Sequence, residues 1–517
     1  MFLAIEKSRL FFYLRTICVV LVCTLFLFIQ NGFAADGQMT TADAQQPVDE
    51  SYNDFILEDT VVTATKTGET RLQETPISIT AFDPEILKAG GVDDFVDIEK
   101  KTPNLAFYNA GAVSLVYIRG IGNNGYYVGG QESVAFYLDD VYTSRTTGFW
   151  NAYLDVDRIE VLRGPQGTLY GRNTSGGAIR VFTGMPTDEI SGFVTGEYGT
   201  GCKYDIQGAI GGPIVENKLK ARIAFLKGGQ DGYIDNIAPG GLDTVDFDDE
   251  IAFRAKLQFT PAEKIDILLT GDYSQREFGT GNMGASAYTQ FIDAGAVPYD
   301  LRDEVAINDY PDDTVEAVTK GMKADITFNL PGNLTLRSIT AYRELDGDGA
   351  TMDYDGTTLD IFTNNASFTN EMTSQEFQLN GESGALTWVG GVYYVDEFEL
   401  NDVLLDLRMI TPYGYLPVQQ RYDDAQINSE SWAAYVSGTY ALTDRFSATL
   451  GLRYTSEEKD VKRNNGGFLD VSSLYGSPVP IWMGTPYIDQ DDGSWSSIDP
   501  KVAASYRLSE DIFLFGS

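Results

Sequence analysis

The chain has 517 residues, a formal net charge of −38 and no histidine. This length exceeds one ordinary core, so we expect at least two domains. The acidity disfavours a nucleic-acid partner, whose phosphates would be repelled. The lack of histidine excludes Ser-His-Asp triads and histidine-ligated metal sites in these residues, and we expect neither an enzyme nor a cofactor.

Residues 1–34 are typical of a secretory signal peptide. Lys7, Arg9 and Arg15 precede an apolar run at 17–29, which is too short to span a membrane comfortably as a helix. Small residues lead to a predicted cleavage after Ala34. Removing three cations and one anion (Glu6) takes the net charge to −38 − 2 = −40.

The predicted cleavage also removes two of the three cysteines. Cys18 and Cys23 leave with the signal, so Cys202 stands alone and no intramolecular disulfide is expected. Residues 35–57 are polar and mixed in composition, and we interpret them as a flexible leader.

Residues 58–66, EDTVVTATK, are short, β-branched and flanked by polar residues. Such a segment can add as an extra strand to a sheet edge on a partner, although an ordinary edge strand has the same pattern. The pattern of residues 67–187 then predicts a compact α+β domain. TPISITAF, SLVYIRG and SVAFYLDDVY are predicted strands, and Pro84 to Ala89 and Val92 to Lys100 are predicted short helices.

The sequence RIEVLRGPQGTLYGRNTSGGAIRVFT at 158–183 predicts a strand, a glycine-rich turn and a second strand. With PISITAF, IRGIG and VAFYLDDVY before it in order, it resembles the plug domain of TonB-dependent outer-membrane receptors. Residues 58–66 resemble the TonB box of that family. The resemblance implies TonB binding by these residues: Asp59, Thr60, Val61, Val62, Thr63 and Ala64.

From residue 190 onward, apolar and polar residues alternate along successive segments. Phe253, Leu257 and Phe259 alternate with Arg254 and Lys256. A period of two with the apolar side outward is the pattern of a membrane β-barrel, whereas a soluble sandwich would turn its apolar side inward.

Predicted loop lengths favour the barrel. Short connections alternate with long ones at 229–249, 277–316, 346–366, 401–428 and 459–495. Short periplasmic turns and long extracellular loops produce this asymmetry in outer-membrane barrels.

The predicted fold is therefore a transmembrane antiparallel β-barrel at 188–517 with an N-terminal α+β plug at 67–187 in its lumen. We count about 13 strands, whereas plugged outer-membrane transporters use about 22. We expect the sequence to be a fragment that lacks the C-terminal strands, because an odd strand number is not expected of a bacterial barrel.

Two motifs suggest other ligands, and neither is convincing. Gly120 to Gly125 fits G-x-G-x-x-G with Asp139 downstream, but no helix follows to receive a pyrophosphate. The acidic stretches at 243–250 and 489–492 do not match an EF-hand loop, so we predict no metal site.

The resemblance also implies ion pairs between plug arginines and barrel-wall glutamates. Arg119 and Arg163 match the family arginines, and Glu376 and Glu457 are candidate wall partners. A buried guanidinium needs a carboxylate. The alternative for Arg163 is a local pair with Glu160.

The ligand is expected to meet the plug at its apex, in the turns near 123–127 and 144–150. These turns combine aromatic residues with a cation, which suits a planar or anionic ligand, although ordinary loop packing has the same composition. The candidate ligand-binding residues are Tyr126, Tyr127, Arg145, Phe149 and Trp150.

The function implied by the resemblance is uptake of a scarce solute across the outer membrane of a Gram-negative bacterium. The expected partners are TonB with its inner-membrane energising complex, outer-membrane lipid and the cargo. A ferric siderophore is the expected cargo, by analogy with the family. A carbohydrate or cobalamin receptor and a passive plugged channel stay open as alternatives.

Overall fold

The computed structural model describes residues 61–517 except 93–94, 111–112, 124–129, 146–152, 233, 237–243, 246–247, 280–304, 307–313, 350, 354–361, 412–413, 471–479, 483–486 and 510–511. The predicted signal peptide and leader lie outside the described residues, as do Asp59 and Thr60. We call residues 61–187 the plug region.

The plug region contains short helices and strands. The helices are a 3-10 turn (Leu72–Glu74), α1 (Pro84–Ala89), α2 (Phe95–Lys101) and α3 (Gly167–Tyr170). The strands are β1 (Val61–Val62), β2 (Thr70–Arg71), β3 (Ile79–Phe82), β4 (Leu105–Ala110), β5 (Val113–Ile118), β6 (Ile121–Gly122), β7 (Val134–Leu138), β8 (Val141–Thr143), β9 (Val156–Arg163) and β10 (Gly177–Thr183).

A five-stranded sheet in the order β3-β9-β10-β7-β8 forms the centre of the plug region. Strand β7 pairs parallel with β10 and every other pairing is antiparallel. Phe95, Phe136, Ile159 and Ile179 belong to its buried core. Burial of these apolar side chains holds the short helices on the sheet.

The predicted strand SVAFYLDDVY is in fact a hairpin, because β7 and β8 are separated by Asp139 and Asp140. Both aspartates have positive φ, at 48° and 69°. A two-residue hairpin turn of type I′ requires positive φ at both positions, and Asp tolerates it better than most residues. We call these two residues the aspartate turn.

The rest of the described chain forms strands, most of them long. They are β11 (Ser191–Tyr198), β12 (Tyr204–Val215), β13 (Leu219–Gln230), β14 (Ile234–Asn236), β15 (Thr244–Val245), β16 (Asp248–Ala262), β17 (Ile265–Gly279), β18 (Val305–Ala306), β19 (Thr314–Leu330), β20 (Leu334–Asp348), β21 (Thr351–Asp353), β22 (Phe362–Ser383), β23 (Leu386–Thr411), β24 (Gly414–Ala441), β25 (Phe446–Asp470), β26 (Pro480–Trp482), β27 (Tyr487–Arg507) and β28 (Phe513–Gly516).

Within this described part, 13 strands follow one another in one continuous antiparallel sheet, which we call the wall, and the short strands β21 and β26 pair with β22 and β25. Its order is β11-β12-β13-β16-β17-β19-β20-β22-β23-β24-β25-β27-β28. The strand count expected from the sequence is therefore confirmed.

The prediction of long loops at 401–428 and 459–495 is wrong for most of these residues. Strands β23 and β24 stay paired out to Thr411 and Gly414, and β25 stays paired with β27 out to Asn465 and Tyr487. Proline and glycine at 412–417 and 465–479 interrupt these stretches in the sequence, yet the strands on either side extend into them. Cross-strand backbone hydrogen bonds can extend a hairpin beyond the part that a side-chain pattern marks as strand.

The two faces of the wall have opposite character. Phe253 and Leu450 are 47% and 65% exposed, whereas Arg254 and Arg453 on the other face are 3% and 4% exposed. The apolar side chains point away from the plug region and the polar ones toward it. This arrangement confirms the barrel prediction and excludes a soluble sandwich. Within the described part of the chain, no helix has the length and hydropathy needed to cross a membrane.

Candidate functional site

The first described residues of the chain, 61–66, are buried against the rest of the plug region. Strand β1 pairs with β2, and Val62 and Ala64 are 0% exposed. The backbone N–H of Thr63 donates to Glu160 Oε1 at 2.9 Å, and the Tyr170 hydroxyl donates to the carbonyl of Ala64 at 2.9 Å. We call residues 61–66 the latch segment.

Lys66 joins the latch segment to the wall. Its Nζ donates to Glu376 Oε1 on β22 at 2.8 Å, and the Tyr435 hydroxyl donates to the same oxygen at 2.6 Å. The ammonium also lies 5.2 Å and 5.3 Å from the ring centroids of Tyr170 and Tyr435. Burial lowers the pKa of Lys66, while the Glu376 carboxylate opposes that shift.

Asp139 of the aspartate turn meets two wall lysines. Its Oδ2 lies 2.9 Å from Lys256 Nζ, and its carbonyl accepts from Lys323 Nζ at 3.0 Å. Its carboxylate also accepts from the backbone N–H and the hydroxyl of Thr183 at 2.9 Å and 2.7 Å. Burial works against ionisation, but the neighbouring cations hold the pKa of Asp139 well below its usual range.

Asp140 bridges the plug region and the wall through two arginines. Its carboxylate lies 2.6 Å from Arg180 Nη2 and 2.9 Å from Arg337 Nη1 on β20. Arg180 also pairs with Glu160 at 2.6 Å, the carboxylate that binds the latch segment. Despite burial, Arg337 and Arg180 keep the pKa of Asp140 well below its usual range.

A cavity of about 270 Å³ lies beside the aspartate turn, between the plug region and the wall. Its lining is charged, with Asp140 and Asp325 opposite Lys256, Lys323 and Arg337. Arg337 pairs with both carboxylates, so the charges are mutually neutralised.

Another set of ion pairs joins the plug region to β23 and β25. Arg172 Nη2 lies 2.5 Å from Glu397 and its Nη1 lies 3.6 Å from Glu457. Arg145 pairs with Glu399. Nearby, burial raises the pKa of Glu132 to about 7, although the Arg145 charge opposes the shift.

The structure places the predicted ion-pair residues with other partners. Glu376 lies against Lys66 and Glu457 against Arg172. Among the described residues, Arg119 donates to the Ser78 hydroxyl at 3.0 Å and Arg163 to the carbonyl of Pro103 at 3.4 Å. Pairing of these two arginines with wall glutamates stays a prediction.

Glu160, the local alternative for Arg163, pairs with Arg158 and Arg180. Of the predicted apex residues, Arg145 is described, and its carboxylate partner lies on the wall. Tyr126, Tyr127, Phe149 and Trp150 lie outside the described residues.

Sequence reasoning missed Lys66, Asp139 and Asp140 as contacts with the wall. One signal was present, because Arg254 and Lys256 alternate with apolar residues on a predicted membrane strand. Cations on such a lumen face need carboxylates opposite them.

No group of three or more potential ligands placed to hold a metal ion occurs among the residues that the structure describes. In the first acidic stretch, Asp248 pairs with Arg276 at 2.5 Å, and Asp249 pairs with Lys227. Charge neutralisation therefore explains these two aspartates.

Comparison with protein families gives matches to both regions. Residues 71–178 match the family described as TonB-dependent Receptor Plug Domain. Residues 259–517 match the family described as TonB dependent receptor-like, beta-barrel, and cover half of the chain.

Among curated proteins, the pesticin receptor of Yersinia pestis is 25% identical over 87% of this chain and 61% of its own length. The chain therefore spans about three fifths of that relative.

Solved structures share the fold. The ferric yersiniabactin uptake receptor FyuA of Yersinia pestis has a TM-score of 0.71 at 21% identity, over 85% of this chain and 64% of that one. BauA, the ferric preacinetobactin receptor of Acinetobacter baumannii, has a TM-score of 0.61 at 15% identity, over 88% and 65%.

Proposed function

This chain belongs to the TonB-dependent receptor family and is a protein of the Gram-negative outer membrane, and we propose that it imports a ferric siderophore by TonB-driven movement of its plug. The family consists of receptors and transporters rather than enzymes. The proposal covers the solute, the energy source and the residues that couple them.

The observation that carries the proposal is the burial of the latch segment. Val62 and Ala64 are fully buried, and Lys66 is tied to the wall through Glu376. A segment held in this way must be released before a partner in the periplasm can pair with it. Its short β-branched sequence suits strand addition to the edge of a TonB sheet.

The proposed cycle begins at the apex side of the plug. The solute contacts loops and plug residues near Arg145, whose contact with Glu399 joins the plug to β23. The latch segment then detaches, TonB pairs with Asp59 to Ala64 as an added strand, and force withdraws Lys66 from Glu376. The plug rearranges and the solute passes, with no covalent step.

The proposed cargo is an iron chelate because the relatives named above include a ferric yersiniabactin uptake receptor and a ferric preacinetobactin receptor. Haem is less favoured, since these 517 residues contain no histidine to ligate its iron.

The direct test is uptake of radiolabelled ferric siderophores by cells that carry the full-length protein as their only such receptor. Val62→Pro removes a main-chain donor and disrupts strand pairing, so we expect loss of uptake. Val62→Ala keeps the donor and is the matched control. Both variants must reach the outer membrane in equal amounts.

Uptake that survives both Val62→Pro and deletion of TonB would identify a passive plugged channel instead. The cargo class is tested separately by outer-membrane abundance in iron-starved and iron-replete cells. A large rise on starvation supports an iron chelate, whereas no response redirects screening to carbohydrates and cobalamin.

A further inference from the structure

Arg453 is a buried cation of the wall whose described contacts include no carboxylate. Its Nε donates to Thr455 Oγ1 at 3.0 Å, and its Cζ lies 5.7 Å and 6.0 Å from the ring centroids of Tyr435 and Tyr393. The plug residue that faces it is Gly171, with φ of +86°, where a Cβ would collide with the guanidinium. Aromatic faces meet only part of what a buried guanidinium requires.

Tyr435 places Arg453 close to the Lys66 site. The two cations lie 5.7 Å and 5.3 Å from the same Tyr435 ring, whose hydroxyl donates to Glu376. The ring crosses β23 over Gly391, where a Cβ would lie 2.6 Å from the tyrosine Cζ. Glu376, Lys66 and Arg453 therefore surround one side chain.

Withdrawal of Lys66 would leave Glu376 in an unfavourable state. The Glu376 side chain is 6% exposed, and a buried carboxylate without a cation is strongly destabilised. The hydrogen bond from Tyr435 remains but supplies no full charge. Arg453 lies against the tyrosine ring that Lys66 vacates, and its contacts within the described residues include no ion pair that it would have to break.

We propose that Arg453 is a second counter-ion of Glu376, which pairs with it when Lys66 leaves and so stabilises the released state of the latch segment. Rotation of the two side chains past the Tyr435 ring makes the exchange. This inference rests on the proposed function, because release of Lys66 is a step of the TonB-driven cycle.

The test measures release of the latch segment without TonB. Thr63→Cys serves as the probe, because Thr63 Oγ1 is buried and makes no hydrogen bond. Exposed Cys202 is replaced by Ser to remove background labelling. The rate of maleimide modification in purified outer membranes containing the full-length protein reports how often the segment is released.

We expect Arg453→Gln to lower the modification rate about tenfold, equivalent to about 1.4 kcal/mol. The variant removes the counter-ion of the released state and leaves the Lys66–Glu376 pair of the latched state intact. Arg453→Lys should restore the rate. In a Glu376→Gln background, Arg453→Gln should have no further effect.

Lys459→Gln is the matched control, because Lys459 lies on the same face of β25 and pairs with Glu457. It should leave the rate unchanged. If Arg453→Gln fails to reach the outer membrane, Arg453→Met removes the same charge while keeping the aliphatic stem. Trypsin resistance of the plug region verifies folding in each variant.

An unchanged or faster rate in Arg453→Gln overturns the proposal, and so does an effect that persists in the Glu376→Gln background. The Lys66→Ala variant distinguishes failure of the counter-ion inference from failure of the proposed function. If Lys66→Ala speeds modification while Arg453→Gln has no effect, only the counter-ion inference fails. If Lys66→Ala also has no effect, the latch step of the proposed function fails with it.

Discussion

The latch segment and the aspartate turn both join the plug region to the wall through buried charged side chains. They differ in the number of wall cations or carboxylates that each one contacts. The latch segment reaches the wall through one ion pair, between Lys66 and Glu376. The aspartate turn meets Lys256, Lys323 and Arg337 from separate strands. In the proposed cycle, force on the latch segment would therefore act on one ion pair, whereas the aspartate turn would keep its three cationic contacts.

The two contacts also differ in whether another charged side chain is available when one partner leaves. If Lys66 leaves, Arg453 remains in the wall against the ring of Tyr435, whose hydroxyl donates to Glu376. If Asp139 leaves, Lys256 loses the carboxylate on which it depends in the described structure. In the proposed cycle, the contact that opens thus leaves a carboxylate that another cation can neutralise, whereas loss of Asp139 would leave Lys256 without its carboxylate.

Asp139→Asn should have the largest effect, because it leaves Lys256 buried without a carboxylate. Breaking one partner of a buried ion pair costs about 3–5 kcal/mol. We expect the urea concentration at which a trypsin pulse begins to cleave the plug region to fall markedly. Asp157→Asn is the matched control, since that side chain is 54% exposed. Equal resistance in the two variants would contradict the importance of the aspartate turn.

Tyr435→Phe should act on the latch segment alone. It removes a hydrogen bond to the Glu376 carboxylate, which contributes about 1.5–3 kcal/mol, and keeps the ring that faces both cations. We expect slower maleimide modification of Thr63→Cys, because Glu376 depends most on this donor once Lys66 has left it, and unchanged trypsin resistance.

Tyr394→Phe is the control for that change, because the Tyr394 hydroxyl donates to Glu430 at 2.9 Å on the exposed side of the wall. A similar slowing in Tyr394→Phe would mean that the response does not come from the latch segment.

The pH dependence should separate Glu132 from the aspartate turn. The pKa of Glu132 is raised to about 7, so the folded plug binds this proton more tightly than the unfolded chain does, and its contribution to stability falls as pH rises from about 5 to 7. The pKa values of Asp139 and Asp140 are lowered, so their contribution is lost only as pH falls below about 4.

Unfolding of the plug region in urea at pH 5 and pH 8, with a trypsin pulse at fixed pH, measures this difference. We expect Glu132→Gln to reduce the loss of stability between the two conditions. An identical loss in the variant would show that Glu132 is not its source.

Glu74→Gln should have the smallest effect. Glu74 pairs with Arg507 of β27 at 2.8 Å, but the two side chains are 43% and 44% exposed. Exposed pairs contribute about 0–1 kcal/mol. Trypsin resistance and latch modification should both match the unsubstituted protein, and a large change in either would mean that this pair takes part in seating the plug region.

Sequence reasoning predicted part of the site because some signals are local. The alternation of Phe253 with Arg254 indicates a strand with one polar face. The same logic marked Glu376 as facing the lumen, where the structure has it. It could not identify Lys66 as its partner, because 310 residues separate the two. Lys66 follows a short β-branched segment with no sign of which wall strand it meets.

For the aspartate turn, too, the sequence predicts the local structure but not the distant contacts. Two adjacent aspartates between apolar strands predict a turn from local chemistry. Their buried contacts with Lys256, Lys323 and Arg337 depend on how the plug region sits within the wall.

By itself, the sequence determined the family resemblance, the strand alternation and the outward apolar face, because these follow from residue order and from a period of two along each strand. Only the tertiary structure decided which carboxylate pairs with which lysine or arginine. The partners lie on different strands and often hundreds of residues apart, and low-dielectric burial makes their pairing strong only at the short distances that folding creates.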